Sequence, residues 1–235
     1  PRTPAACAGA CARSDAAGRP ALTSAFPPEA PADCRICPRL AAFRDANRVA
    51  LPGHFNGAVP SFGAGDCELL IVGLAPGLNG ANRTGRPFTG DYAGDLLYAT
   101  LARVGRLSGV YAARPDDGVA LVDTMISNAV RCVPPQNKPE TSEIKACNGF
   151  LRSRIAALPK LKAIVALGTI AHNATLTALG ARKSAFKFAH GAVHPLGAVT
   201  LYDSYHCSRY NTNTGVLTPR MFLDVFERVD ADLKR

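Results

Sequence analysis

Three short apolar runs constrain this chain most: 68–74 (ELLIVGL), 119–126 (VALVDTMI) and 161–167 (LKAIVAL). Each is rich in branched residues and shows no polar alternation, as a strand buried on both faces does. Between them lie segments of helical spacing. Residues 38–49 place Leu40 and Phe43 on one side, and Leu96, Leu97, Leu101 and Val104 recur on another helix. A helix over 140–157 would carry Pro139, Glu140 and Glu143 about its first turn. Another is expected from Thr169 to Leu179, after Gly168 stops the third run. Thr218-Pro219 is an N-cap and first-turn pair for a terminal helix with Phe222, Val225, Phe226 and Val229 inward. Short strands are expected at 185–193 and 198–205. Strands alternating with helices imply an α/β fold, with a parallel sheet flanked by helices. Ligands of such sheets bind outside the carboxyl ends of the strands. The segments that follow 68–74, 119–126 and 198–205 all leave strand ends and can share one crevice.

The 235 residues fit one medium domain plus a tail. A 47% hydrophobic and 19% charged composition excludes a largely disordered chain. No apolar run reaches the roughly eighteen residues of a membrane span. Residues 1–33 are rich in Ala and Pro, lack a sustained period, and balance three Arg against Asp15, Glu29 and Asp33. They read as a mobile tail, dispensable for chemistry, ahead of a single domain over 34–235. The net charge of +9 therefore falls on 34–235. A basic domain suggests a polyanionic partner, most commonly nucleic acid.

The eight cysteines are Cys7, Cys11, Cys34, Cys37, Cys67, Cys132, Cys147 and Cys207. Arg13, Asp15 and Arg19 interrupt the Ala-rich opening, which does not read as a secretory signal. The expectation is a reducing, cytoplasmic compartment, where close-spaced cysteines bind metal or do redox work. Cys34 and Cys37 form a C-x2-C pair. Cys132 follows a predicted strand, and Cys147 sits on the next helix. Four converging thiolates suit either zinc or an iron–sulfur cluster, and spacing does not choose between them. Buried apolar thiols are the plain alternative. Cys67 and Cys207 read as structural, and Cys7 and Cys11 lie in the tail.

The loop after the first run is Gly73-Leu74-Ala75-Pro76-Gly77-Leu78-Asn79-Gly80. It matches neither the dinucleotide fingerprint nor the P-loop, but its small residues admit a ligand close to the backbone. The continuation NRTGRPFTGD (82–91) supplies two arginines, Phe88 and Asp91. Phe88 suits either a stacked planar ligand or a core plug. Asn128, after the second run, offers one acceptor and two donors, as reading a base edge needs; a turn or cap is its bland role. His206 begins a polar, basic stretch, HCSRYNTNTG, suited to a nucleic-acid backbone. It serves as a donor to a ligand or as a structural histidine. His190 has weaker context but can line the same crevice.

Together these segments resemble the uracil-DNA glycosylase superfamily, in particular its family 5, the type-b, iron–sulfur-containing glycosylases. The likeness rests on GLAPG (73–77), NRTGRPFTGD (82–91), SNAVRCVPPQNKP (127–139), HCSRYNTNTG (206–215), the C-x2-C pair and Cys147, and covers about 34–230. Ala75 and His206-Cys207-Ser208 favour type b over family 4. The resemblance implies a three-layer α/β/α fold and a [4Fe–4S] cluster on Cys34, Cys37, Cys132 and Cys147. It implies a base site of Gly73, Leu74, Ala75, Gly77, Phe88, Asn128 and His206. Asn128 would bind the base edge and His206 the departing base oxygen. Since Ala75 replaces the acidic residue of other families, Asp91 is assigned the water-positioning role. Arg86, Ser208, Arg209, Tyr210 and Asn211 would contact DNA. The implied partners are double- and single-stranded DNA containing deaminated bases, uracil and hypoxanthine among them, with the enzyme a monomer free of membranes. Leu78-Asn79 departs from the expected small residue and His, which leaves the pocket lining open. The competing class is a basic four-Cys module that binds nucleic acid without chemistry. A G-x-S-x-G hydrolase elbow is absent.

Overall fold

A computed structural model describes residues 25–235. The elements are α1 (Pro38–Ala50), β1 (Phe62–Gly63), β2 (Leu69–Gly73), α2 (Ala81–Thr84), α3 (Tyr92–Arg103), β3 (Leu107–Ser108), β4 (Ala120–Leu121), β5 (Thr124–Asn128), α4 (Thr141–Ala156), β6 (Ala163–Leu167), α5 (Thr169–Ala178), β7 (Val193–Leu196), β8 (Val199–Ser204), α6 (Arg209–Asn213) and α7 (Pro219–Leu233). Six strands form one sheet in the order β1-β5-β2-β6-β8-β7. The four central strands are parallel, and the edge strands β1 and β7 are antiparallel to their neighbours.

The apolar runs are strands because both of their faces are covered. Leu69 and Ile71 of β2 pack with Leu97 and Leu101 of α3 and Phe222 and Phe226 of α7. Leu70 and Val72 point the other way, to Leu151 and Ile155 of α4 and Ala174 and Leu176 of α5. These are the three expected layers. A third cluster joins α1, the start of α4 and the segment before α1 around the cysteines. Thr218 caps α7 by accepting from the Met221 N–H, with Pro219 in its first turn. Glu140 and Glu143 form a capping box on α4. No helix among the described residues is long and apolar enough to cross a membrane.

Three expectations need correction. The run 119–126 is not one strand: exposed Asp123 takes a left-handed φ of 45° and breaks it. Ala120–Leu121 pairs instead with Leu107–Ser108 as a separate hairpin, and Thr124–Asn128 joins the main sheet. Residues 185–193 are not a strand either. A 3₁₀ turn at Lys183–Ala185 precedes a loop, and the strand begins at Val193. That loop's polar groups are taken locally: the Phe186 carbonyl faces His172 Nε2, and the Gly191 N–H donates to the Asp203 carbonyl.

The third correction is the tail boundary at 33. Phe26 meets Phe150 edge-to-face, with ring centroids 4.9 Å apart. Glu29 pairs with Arg131 and Arg154, and the Ala32 carbonyl accepts from Ala58. Residues 25–33 therefore belong to the folded body. Cys7, Cys11 and the rest of 1–24 lie outside the described residues.

Candidate active site at the strand ends

Sheet register assembles the site. Gly73 of β2 stands opposite Asn128 of β5, and Leu167 of β6 opposite Ser204 of β8. The parallel strands thus stop at one edge, where Asn128 and the His206 segment emerge. β2 leads toward β5 while β6 leads toward β8, so the chain switches direction between adjacent strands and opens a crevice there. A cleft of about 450 Å³ occupies this edge. Ala75, Gly77, Phe88, Asp91, Asn128 and His206 line it, together with Ser208 and Arg209.

Asn128 is buried, and its Oδ1 has no hydrogen-bond partner. A buried polar atom of this kind costs free energy unless a ligand or water meets it. The Phe88 ring lies beside Asn128 over Gly73, where any side chain would collide with both. Gly73 therefore forms the floor behind the cleft rather than its lining. Leu74 does not line the cleft, and its carbonyl accepts from Val130. Phe88 and His206 are nearly parallel, with ring centroids 5.9 Å apart and 28° between planes.

Asp91 caps α3, its Oδ1 accepting from the Gly94 N–H at 3.1 Å. Its Oδ2 lies against Gly80, where a side chain would overlap it. Desolvation pushes the His206 pKa down to about 4, so the ring is neutral at physiological pH. Asn211 Nδ2 donates to the His206 carbonyl at 2.8 Å and fixes that turn. Deeper in β8, buried Asp203 contacts His172 Nδ1 at 2.8 Å and His194 Nε2 at 3.0 Å.

The expected DNA-contacting residues divide. Ser208 caps the short α6, and Arg209 lies over the Tyr92 ring at the cleft mouth. Tyr210 is 74% exposed. Arg86 is a correction: it is 6% exposed and bound bidentately by Asp117, so it cannot reach a phosphate. His190 stacks on Tyr205 and accepts from its N–H instead of lining the cleft. The cleft also includes Asn79, the position at which the sequence departs from the expected His, and Tyr92 and Asn137, for which sequence reading held no role. Asn137 had one visible cue: Gln136-Asn137 follows two prolines, and both residues adopt left-handed φ.

Cys34, Cys37, Cys132 and Cys147 line one small cavity under α1. The Arg131 N–H donates to Cys147 Sγ at 3.3 Å, and Arg44 Nη1 lies 3.7 Å from Cys132 Sγ. Arg44 is 0% exposed and makes no ion pair among the described residues. Its Nε and Nη2 have no partners. Its Nη1 also donates to the Cys34 carbonyl at 2.9 Å, and the nearest carboxylate that interacts with it is Asp33. Cys67 and Cys207 are buried singly elsewhere, Cys207 donating to the Ala93 carbonyl.

This is an α/β protein with an open cleft of about 450 Å³ at its strand ends and four cysteines lining a second, small cavity. The family model described as the uracil DNA glycosylase superfamily matches residues 60–230. The chain is 46% identical to the type-5 uracil-DNA glycosylase of Thermus thermophilus over 82% of its length and 90% of that protein. It is 39% identical to the type-5 enzyme of Pyrobaculum aerophilum over 85% of this chain and 89% of the relative. Against the type-4 uracil-DNA glycosylase of Thermotoga maritima, identity is 30% over 80% of this chain and 90% of that protein. The chain belongs to the uracil-DNA glycosylase superfamily, in its type-5 branch.

Proposed function

We propose that this protein hydrolyses the N-glycosidic bond of uracil in DNA, and of hypoxanthine, leaving an abasic site. The observation that carries this reading is the orphaned, buried Oδ1 of Asn128 beside the Phe88 ring. Deamination turns the ring-nitrogen acceptor of cytosine or adenine into an N–H donor next to a carbonyl. Uracil and hypoxanthine share that edge. One Asn amide pairs with it, whereas the unaltered base sets an acceptor against Oδ1. A cleft of about 450 Å³ has room for either ring system.

The nucleotide must leave the duplex, at a cost of roughly a few kcal/mol that damaged pairs lower. Phe88 then stacks on the base and Asn128 holds its edge. As the bond breaks, negative charge grows on the base and positive charge on the sugar. His206, neutral, donates an N–H to the base oxygen, in a site where few waters compete. Asp91 spends one oxygen on the α3 cap and has the other to orient water and offset sugar charge. Exposed Arg209 and Tyr210, with half-buried Ser208 and Asn211, form the lip that meets duplex or single-stranded DNA.

In this reading Cys34, Cys37, Cys132 and Cys147 hold a [4Fe–4S] cluster. The all-sulfur donor set, the N–H donors toward two sulfurs and the buried Arg44, whose Nε and Nη2 have no partners, support it. Such a cluster would supply binding free energy that ties α1, the segment after β5 and α4 together. The test of function is incubation of pure protein with oligonucleotides bearing one uracil or one hypoxanthine, followed by alkali. Strand cleavage at the lesion is expected, and intact strands with both lesions would refute the reading.

A further inference from the structure

We propose that Asp117, through Arg86, is the positioning residue that holds Phe88 and Asp91 in working geometry, with Tyr111 as its second arm. This rests on the proposed base site and extends it to the β3–β4 hairpin, which lies outside the cleft.

Phe88 adopts a left-handed φ of 51°, a conformation a phenylalanine keeps only when its surroundings enforce it. The enforcing contacts converge on Arg86. Its Nη1 and Nη2 donate to the two oxygens of Asp117 at 2.7 and 2.8 Å, and its Nε donates to Thr89 Oγ1 at 2.8 Å. The guanidinium lies over the rings of Phe62, Tyr98 and Tyr111, with centroid distances of 5.1, 5.4 and 5.8 Å. Those tyrosines stack with centroids 4.2 Å apart and reach the same loop. Tyr98 donates to the Pro87 carbonyl at 3.1 Å. The Tyr111 hydroxyl donates to the Phe88 carbonyl and accepts from the Gly90 N–H, both at 3.3 Å. Residues 86–90 are thereby held on both sides of Phe88, one residue short of Asp91.

Asp117 is the root of the network. It also accepts from the N–H groups of Ala112 and Val119, which locks its own loop. The Arg86 guanidinium, together with these N–H groups, keeps its carboxyl well below the usual carboxylate range. Asp117 and Tyr111 thus tie the β3–β4 loop to residues 86–90, Asp117 through the Arg86 side chain and Tyr111 through the Phe88 and Gly90 backbone.

The test uses Asp117→Asn, which keeps shape but removes the charge. Tyr111→Phe, which removes one hydroxyl, serves should Asp117→Asn fail to fold. Three quantities are read on folded protein: the single-turnover rate of uracil release, inhibition by free uracil, and affinity for abasic-site duplex. The expected result is a loss of about tenfold or more in rate. Uracil inhibition weakens in parallel, and abasic-duplex affinity is unchanged, because that product lacks the base Phe88 would stack on. A merely structural pair would lower the melting temperature and leave rate and inhibition intact, which overturns the proposal. Equal losses in rate and abasic-duplex affinity overturn it too. If the wild type is active and the variants match it, the clamp alone is lost. A wild type that releases no uracil removes the function and this inference together.

Discussion

The Phe88 ring and the Asn128 amide meet over the α-carbon of Gly73, so closely that a methyl there would lie 2.5 Å from Phe88 Cζ and overlap Asn128 Oδ1. Gly73→Ala must push one of them aside. Misplacement on this scale costs about 10²-fold in rate. Asn128→Ala leaves Gly73 in place and removes the amide, with an expected loss of about 10²- to 10³-fold in single-turnover excision. Both variants should still bind abasic-site DNA. If Asn128→Ala weakened that binding as much as catalysis, the base-reading role would fail.

Asp91 both caps α3 and lines the cleft, and one substitution separates the roles. Asn caps a helix about as well as Asp. Asp91→Asn should therefore keep the wild-type melting temperature while excision falls by about 10²-fold or more. Full single-turnover activity would remove the water-positioning assignment and leave a cap.

His206 titrates near 4 in the folded protein, against an ordinary value of 6.5. Between these values the unfolded chain binds the extra proton, so the contribution of His206 to stability is full above about pH 6.5. It drains as pH falls toward 4. The pH dependence of melting should thus be shallower over pH 4–6.5 in His206→Gln than in wild type. Excision should show no inflection from this ring between about pH 6 and 8. An inflection near 6.5 that vanishes in His206→Gln would mean that the ring is charged in the working enzyme.

Much of this site was legible because its carriers stand where buried runs end. Gly73 and Asn128 could be placed from strand pattern alone, and the motifs supplied Phe88 and His206. Arg86 was misread for a physical reason: an arginine in a loop of Gly, Thr and Asn looks solvated, and its partner lies 31 residues away. Asp117 and Tyr111 belong to a hairpin with neither period nor motif. The split at Asp123 was hidden because Val119 to Ile126 is apolar enough for one strand, and only a backbone turn separates its halves. The cysteine spacing was legible, but convergence of the sulfurs depends on how α1 docks on α4.

The thiol centre makes a prediction apart from catalysis. Protein prepared without air should be brown, with thiolate–iron absorbance and about four irons per chain. Cys147→Ser should lower both iron content and melting temperature. Arg44→Met should retain the fold but shift the cluster's reduction potential, since it removes a buried positive charge. Colourless protein carrying one zinc would replace the cluster with the other soft-ligand centre.

The segment before α1 gives the last prediction. Arg131 is almost wholly buried, and its charge partner is Glu29, which also pairs with Arg154. Removing one member of a buried pair strands the other, at a cost of about 3–5 kcal/mol. The Glu29 side chain is itself 30% exposed, so Glu29→Ala should fall toward the lower end. Deleting residues 1–24 keeps Glu29 and Phe26 and is the reference truncation. Deletion through 33 removes both Glu29 and the Phe26 contact on Phe150, and should cost at least as much as Glu29→Ala. Equal denaturation midpoints for the two truncations would return 25–33 to the tail.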